Sequence, residues 1–247
     1  MRLADNVEVL ELTVMSFRGH ATIYPTLTWD DDTVVLVDAG FPGLLQQFRE
    51  AMARASISFD KLDKVIITHQ DIDHIGSLPD IVRESSHEVE VLSHEEERPY
   101  IEGRKPLIKM NPERLSKMLG SLPEEQRQRI EAQFANPPKA SVTTAVADAE
   151  VLPYCGGITV VFTPGHTPGH ICLYLNQSKI LVAGDALVAA DGELRGPNPQ
   201  SAYDIDTALR SLKKLTQYDI ETVICYHGGV YRDGANRCLA ELASAAR

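Results

Sequence analysis

The densest group of residues able to do chemistry lies at positions 68–76, where the sequence reads THQDIDHIG. Four side chains with metal-binding atoms, those of His69, Asp71, Asp73 and His74, fall within six consecutive residues. Two carboxylates this close repel each other and destabilise the fold unless cations compensate their charge. Imidazole and carboxylate donors together suit Zn, Mn and Fe. The segment therefore predicts a metal site.

Five short runs rich in β-branched residues each end at a residue that can bind a metal or position one that does. Runs of this length bounded by Gly and Pro are typical of core strands in a covered sheet. Enzymes built on sheets carry functional side chains in the loops after such strands. The runs and the residues that follow them are 33–37 before Asp38, 64–68 before His69, 158–162 before His166, 179–183 before Asp185, and 222–225 before His227.

Helical patterns lie between these runs, because apolar residues recur there at three- and four-residue spacing. The charged, proline-punctuated segment from about 93 to 140 has little strand character and interrupts two β-rich halves. We interpret it as a helical insertion, a lid or wall over the site, within a single domain at 1–247. The other predicted helices cover 44–55, 76–84, 204–218 and about 236–246.

The composition excludes several classes of protein. The chain has 24 Lys and Arg against 35 Asp and Glu, a formal net charge of -11, and no local basic patch. Such a surface repels phosphate backbones. The apolar runs are too short to span a bilayer, and the N-terminus lacks the apolar region of a signal peptide. We therefore expect a cytoplasmic protein with a small-molecule substrate and neither nucleic-acid nor membrane partners.

Five sequence motifs around these residues together resemble those of the metallo-β-lactamase superfamily. The segment 68–76 resembles its H-x-H-x-D-H signature, with an Asp where the second His normally stands. TPGHTPGH at 163–170 resembles its G-H-T-P-G-H ligand loop, and Asp185 follows a Gly as its bridging aspartate does. YHGG at 226–229 resembles the family's motif with the last metal-binding histidine, and DAGFPG at 38–43 resembles its early D-x-G turn. Because the five motifs follow the family's order across most of the chain, the resemblance is specific.

The resemblance implies an α/β fold, the four-layer αββα sandwich, with two metals at one edge between the sheets. It also implies that Asp38 and His170 hydrogen-bond to ligating imidazoles and so fix their tautomer and orientation. The implied ligands are His69, Asp71 and His166 for one metal, Asp73, His74 and His227 for the other, and Asp185 bridging both.

The implied activity is that of a dinuclear metal-dependent hydrolase. A metal-bridging hydroxide would attack an ester-like bond of a small molecule, a lactone, β-lactam, thioester or phosphoester, and a metal would stabilise the oxyanion. Asp73 would ligate a metal and orient the nucleophile. The basic side chains among the candidate contacts would hold a substrate carboxylate or phosphate. The candidates are Tyr24, Tyr100, Lys105 and Lys109.

Asp71 is the departure from the family pattern. Two divalent cations carry +4, and Asp71, Asp73, Asp185 and a hydroxide carry -4, so the centre is neutral, whereas a His at position 71 would leave +1. The additional carboxylate weakens the Lewis acid and favours harder metals. Zn is the expected metal, and Mn and Fe are the alternatives.

Two other activities compete with hydrolysis. A carboxylate at position 71 is similar to the H-x-E-x-D pattern of flavodiiron proteins, and persulfide dioxygenases of the same superfamily also use iron. No flavodoxin-like pattern follows His227 in these 247 residues, which weighs against a di-iron oxidoreductase. Nuclease activity is the second competitor, and the acidic composition weighs against it.

Overall fold

The computed structural model describes residues 1–16, 19–110 and 136–245, together with 120, 123–125 and 127. Every element named below lies within these residues. In none of them does a helix reach the length and apolar character needed to cross a membrane.

The first sheet contains the motif 68–76 at the end of one of its strands. Its last four strands in spatial order run parallel to one another, and the others pair antiparallel. In spatial order, the strands are β1 (Arg2–Ala4), β2 (Val7–Val9), β5 (Thr26–Trp29), β6 (Val34–Val37), β7 (Lys64–Ile67), β8 (Glu90–His94) and β9 (Thr144–Val146).

The second sheet is built from the later part of the chain. Its only parallel pair among the described residues is β13 with β16. In spatial order, the strands are β10 (Val151–Leu152), β11 (Ile158–Phe162), β12 (Ile171–Leu175), β13 (Ile180–Val182), β16 (Thr222–Cys225) and β17 (Gly229–Tyr231). Two hairpins stand apart from both sheets, β3 (Leu12–Ser16) with β4 (Gly19–Ile23) and β14 (Val188–Ala190) with β15 (Glu193–Arg195).

The four helices predicted outside the segment 93–140 begin and end close to the predicted positions, and Ile72–Ile75 forms a short helix that was not predicted. Asp204, for example, caps the fifth helix, because its Oδ1 accepts the N–H of Thr207 at 3.0 Å, and Lys213 and Lys214 occupy the last turn. The helices are α1 (Leu45–Arg54), α2 (Ile72–Ile75), α3 (Leu78–Glu84), α4 (Arg98–Ile101), α5 (Ile205–Leu215) and α6 (Ala235–Ala245). Short 3-10 turns cover Phe59–Lys61 and Ile108–Met110.

The segment from 93 to 140 is described only in part. Its first two residues complete β8, and α4 and the 3-10 turn Ile108–Met110 follow. The greater part of 111–135 lies outside the described residues. The interpretation of this segment as a lid or wall therefore stays a prediction.

The first sheet is apolar on both faces, which requires a layer on each side. Val35 and Val37 of β6 face the core between the two sheets. Val34 and Leu36, on the opposite face of the same strand, pack with Phe48 of α1 in an outer core. Alternate residues of a strand point to opposite faces, so a run of four buried apolar residues serves two cores at once.

The second sheet repeats this arrangement. Val182 of β13 lies in the core between the sheets, whereas Leu181 and Val223 pack outward with Leu212 of α5 and Leu239 of α6. Helices thus cover the outer face of each sheet. The predicted α/β class and αββα sandwich are confirmed.

The parallel strands bring the candidate residues to one edge. Parallel neighbours end at the same side of a sheet, so the residues after β6 and β7, Asp38 and His69, lie together. β13 and β16 are likewise parallel and lead to Asp185 and His227. The functional side chains accordingly gather in loops at the edge between the two sheets.

Candidate metal centre

Two groups of ligand atoms lie side by side at this edge. In the first group, Asp71 Oδ2 lies 3.2 Å from His69 Nε2 and 3.0 Å from His166 Nε2. The Oδ2 atom of Asp185 completes the group at 3.1 Å from His166 Nε2. All four residues offer ligand atoms within 4.8 Å of one another. Ligands of a tetrahedral zinc ion lie about 3.4 Å apart, given bonds of about 2.1 Å, so these separations suit one cation.

The second group is formed by Asp73, His74 and His227. Asp73 Oδ2 lies 3.2 Å from His227 Nε2 and 3.7 Å from His74 Nε2. The three residues also offer ligand atoms within 4.8 Å of one another. His74 is fully buried, whereas His227 keeps 39% of its side chain exposed. The second group is therefore more open to solvent than the first.

Asp185 joins the two groups through its two oxygens. Its Oδ2 faces His166 of the first group. Its Oδ1 lies 3.4 Å from His74 Nε2 and 3.5 Å from His227 Nε2 in the second. A carboxylate placed in this way can bridge two cations, one bound by each group.

Several ligand atoms lack hydrogen-bond partners among the described residues. They are buried, and they include His69 Nε2, His74 Nε2 and Asp185 Oδ1. Buried polar atoms in native proteins nearly always have partners, so unpartnered atoms converging on one point need an explanation. A divalent cation at each group accounts for them, and the donor set of imidazole and carboxylate fits such an ion.

Asp38 and Thr68 orient the buried imidazoles. Asp38 Oδ2 accepts the Nδ1–H of His74 at 2.9 Å, which leaves the lone pair of Nε2 free to bind a metal. Asp38 Oδ1 accepts the backbone N–H of Thr68 at 2.9 Å. The Thr68 hydroxyl lies 3.0 Å from Nδ1 of His69. The contact predicted for Asp38 is thus present.

The comparisons with known proteins agree with this geometry. The family described as "Metallo-beta-lactamase superfamily" matches residues 22–227, most of the chain. The chain belongs to the metallo-β-lactamase superfamily. The metallo-β-lactamase fold implies divalent metal binding, which the His and Asp cluster is suited to provide.

Relatives of this superfamily member point to hydrolase-type function. YflN of Bacillus subtilis, named a probable metallo-hydrolase, is 31% identical over 209 residues, which cover 78% of this chain and 75% of the relative. A metallo-beta-lactamase family protein from Thermus thermophilus has a similar structure, with a TM-score of 0.72, 23% identity, and coverage of 99% of this chain and 80% of that one. A flavo di-iron protein variant from Thermotoga maritima shares the fold with a TM-score of 0.68 and 17% identity, covering 97% of this chain and 58% of that one.

His170 differs from the prediction in its partner. Its Nε2 accepts the backbone N–H of Asp185 at 3.1 Å, and its Nδ1 lies 2.9 Å from the Thr163 hydroxyl. Burial and the neighbouring His166 lower the pKa of His170 to about 3, so its ring is neutral. His170 therefore positions the backbone of Asp185 and, among the described residues, makes no hydrogen bond to an imidazole of either ligand group.

The carboxylates control the charge of the second group. Burial lowers the pKa of His74, but Asp38, Asp73 and Asp185 outweigh burial and hold that pKa well above its ordinary value. Burial likewise lowers the pKa of His227, but Asp185 and Asp73 raise it to about 9. Without metal, both imidazoles are thus protonated, and their positive charge balances that of the carboxylates. A divalent cation would balance this charge in their place.

The first group behaves differently because a lysine reaches it. Burial raises the pKa of Asp71, but the Lys109 ammonium group outweighs burial and holds that pKa well below its usual range. Burial and the adjacent His74 hold the pKa of His69 well below its ordinary value. His69 is therefore neutral, the state in which imidazole binds a metal.

Two supporting residues were missed from the sequence. Glu97 is completely buried, and its carboxylate accepts the N–H of Gln70 at 2.8 Å and that of Gly169 at 2.7 Å. It thereby joins the two loops that carry His69 and His166. The Tyr226 hydroxyl donates to the carbonyl of Asp73. Tyr226 precedes His227 in the motif and could have been found there, whereas a Glu in a charged segment carries no such signal.

The four proposed substrate contacts differ in how close they lie to the ligand groups. Lys109 Nζ donates to Asp71 Oδ2 within the first group. Tyr24 lies against the backbone of Gly229, next to the second group, and its N–H donates to the Tyr226 carbonyl at 3.1 Å.

Tyr100 and Lys105 pack on each other instead. Lys105 Nζ lies 5.4 Å from the centre of the Tyr100 ring, and this ring packs on the core beneath α1. Within the described part of the chain, neither contacts a ligand residue.

Replacing Asp38 by Asn is expected to weaken metal binding about 10- to 100-fold, because an amide oxygen accepts the Nδ1–H of His74 more weakly than a carboxylate does, which lowers the basicity of the ligating Nε2. The backbone of Asp38 has a φ of 65°, a conformation that Asn also tolerates. Titration with zinc in competition with a chromophoric chelator measures the effect. Asp191→Asn is the matched control, since exposed Asp191 has a φ of 55°. Equal affinities in the two variants would contradict the role of Asp38.

Proposed function

We propose that this chain is a dinuclear metal-dependent hydrolase that cleaves an ester-like bond of a small molecule. The observation that carries the proposal is the division of Asp185 between the two ligand groups, with one oxygen facing each. With a single metal ion, one of these two carboxylate oxygens would have no cation to bind. The unpartnered buried ligand atoms support the same conclusion.

Each group would hold one divalent ion, and Asp185 would bridge them. When bound, the two ions would supply an acidified water as nucleophile and would polarise the bond to be cleaved. The residues that would hold the first ion are His69, Asp71 and His166, and those that would hold the second are Asp73, His74 and His227.

We propose Asp73 as the catalytic carboxylate. Its Oδ2 contacts His227 and, at a longer distance, His74, and the hydroxyl of Tyr226 holds its backbone. Asp73 would orient the nucleophile and accept a proton, which it would later give to the leaving group. Its side chain is 17% exposed, so substrate can reach it.

Tyr24 and Lys109 are the contacts that the geometry supports best for the substrate, because each lies beside a ligand group. Tyr100 and Lys105 remain proposed contacts farther from the ligands. A lysine at the site favours a substrate with a carboxylate or phosphate group. The acidic net charge of -11 disfavours a nucleic-acid partner. A small-molecule substrate, no membrane partner and a cytoplasmic location are further parts of the proposal.

The metal identity is part of the proposal. The carboxylate of Asp71 contacts two imidazoles of the first group, which makes that group more anionic than one with a third imidazole. We propose Zn as the resident metal, with Mn and Fe as alternatives that this harder ligand favours.

Metal analysis of the protein as purified, followed by assays with chromogenic lactone, β-lactam, thioester and phosphodiester substrates, tests the proposal. We expect two divalent ions per chain and hydrolysis in at least one substrate class. Treatment with a chelator should abolish the activity and lower the melting temperature, and added metal should restore both. A protein that neither binds metal nor hydrolyses any class after reconstitution would refute the proposal. A coloured, redox-active iron protein would instead indicate the di-iron oxidoreductase that the carboxylate at Asp71 suggests.

A further inference from the structure

A lysine side chain lies inside the first ligand group. Lys109 Nζ donates hydrogen bonds to Asp71 Oδ2 and, over 2.5 Å, to His166 Nε2. The Lys109 side chain is 18% exposed, and that of Asp71 is 12% exposed. The ammonium group thus contacts two of the atoms through which this group would bind a metal.

Backbone contacts fix the position of Lys109. Lys109 lies on the 3-10 turn Ile108–Met110, and the N–H of Ile108 donates to Gln70 Oε1 at 2.8 Å. Gln70 separates the ligands His69 and Asp71 along the chain. Its own N–H is held by buried Glu97. The turn that carries Lys109 is therefore attached to the ligand loop itself.

An ammonium group and a divalent cation cannot both bind His166 Nε2, which has a single lone pair, and their like charges repel each other at Asp71. Lysine has three donors and no acceptor, so it binds the same lone pairs of carboxylate and imidazole that a metal requires. Among the described residues, the second group contains no lysine contact of this kind. A metal ion must therefore displace the Lys109 ammonium group from the first group, whereas it meets no lysine among the described residues of the second.

We propose that Lys109 takes the place of a cation in the first group of the metal-free protein and that a divalent ion must displace it. This inference rests on the proposed dinuclear centre. In this proposal the ammonium group weakens metal binding more than the protons of the second-group imidazoles do, so the second group fills first and the first group fills at higher metal concentration. The flexible four-carbon stem of lysine allows the ammonium group to move aside while remaining at the site.

Stepwise titration of the metal-free protein with zinc, in competition with a chromophoric chelator, measures the two affinities. The wild-type protein should show two unequal steps. In Lys109→Met, which keeps the aliphatic stem and removes the charge, the weaker step should tighten by about tenfold or more. Lys109→Arg keeps the charge and should keep the weaker step weak. Lys64→Met is the matched control, because Lys64 is 21% exposed and pairs with Glu90 away from the centre.

Thermal unfolding gives a second readout that does not depend on activity. Without metal, Lys109→Met should melt at a lower temperature than the wild type, because Asp71 loses its counterion. With saturating zinc, the same variant should gain more in melting temperature than the wild type does, because tighter binding stabilises the folded state more. A merely structural lysine would lower both melting temperatures alike.

The outcomes separate this inference from the proposed function. Two unequal steps that Lys109→Met leaves unchanged would overturn the inference and leave the dinuclear centre standing. Failure of the wild-type protein to bind metal at either group would overturn the proposed function itself. Lys109→Gln is measured in parallel, so that a folding defect of one variant does not decide the result.

Discussion

Replacing Asp185 by Asn is expected to lower kcat/KM at least about a thousandfold, which corresponds to about 4 kcal/mol of transition-state stabilisation. Asp185 contacts His166 with one oxygen and His74 and His227 with the other. The amide has nearly the same shape, but it removes one negative charge and offers only one oxygen. A bridge between two cations can therefore not form, and the charge of the remaining ligands no longer balances two ions.

Metal content and activity must be measured together for this variant. We expect the bound metal to fall from about two ions per chain to about one, because the proposed bridge of Asp185 would contribute to both sites. Asp206→Asn is the matched control, since Asp206 is exposed in the first turn of α5. Full metal content with a thousandfold loss of activity would show that Asp185 acts in catalysis alone. Wild-type activity in Asp185→Asn would contradict the bridging role.

Replacing Gly76 by Ala is expected to lower the free energy of unfolding by about 3 kcal/mol or more, a loss at the upper end of single substitutions. A Cβ atom at Gly76 would lie 2.2 Å from the backbone N of Pro42 and 2.3 Å from the carbonyl carbon of Phe41. The backbone of Gly76 is helical, with φ -57° and ψ -46°, so the cost is steric and not conformational. Its N–H also donates to the Gly40 carbonyl at 2.7 Å, which a displaced loop would lose.

Urea unfolding of the metal-free protein measures this loss without interference from bound ions. Gly196→Ala is the matched control, because the nearest atom to a Cβ there is Leu209 Cδ2 at 3.8 Å. The control should unfold close to the wild type. If Gly76→Ala were as stable as Gly196→Ala, the loops 38–43 and 68–76 could not be packed as closely as described. Because the first loop contains Asp38, metal affinity should fall together with stability.

The core strands were predictable because both of their faces are apolar. The run 158–162 coincides with β11, and the run 222–225 coincides with β16. Strands buried on both sides consist of continuous β-branched residues, so their sequence signal is strong. Short edge strands such as β1 and β10 carry no such signal, because few of their residues are buried.

The candidate site was predictable where the ligands lie in compact motifs. His69, Asp71, Asp73 and His74 follow one another, and the resemblance to the superfamily supplied the distant ligands. The supporting contact of Glu97 was not predictable, because it joins residues far apart in the chain. The hydrogen bond between Glu97 and the N–H of Gly169 spans 72 positions.

The amino-acid sequence by itself determined a mixed α/β class and the residue types available for chemistry, since apolar periodicity and local motifs are encoded over a few neighbouring residues. The four layers followed from the resemblance to the superfamily. Only the tertiary structure decided how those residues meet. It divides the oxygens of Asp185 between two ligand groups, turns His170 toward a backbone N–H, and inserts Lys109 among the ligands of the first group. These contacts depend on how two sheets and their loops pack, and no local pattern specifies that packing.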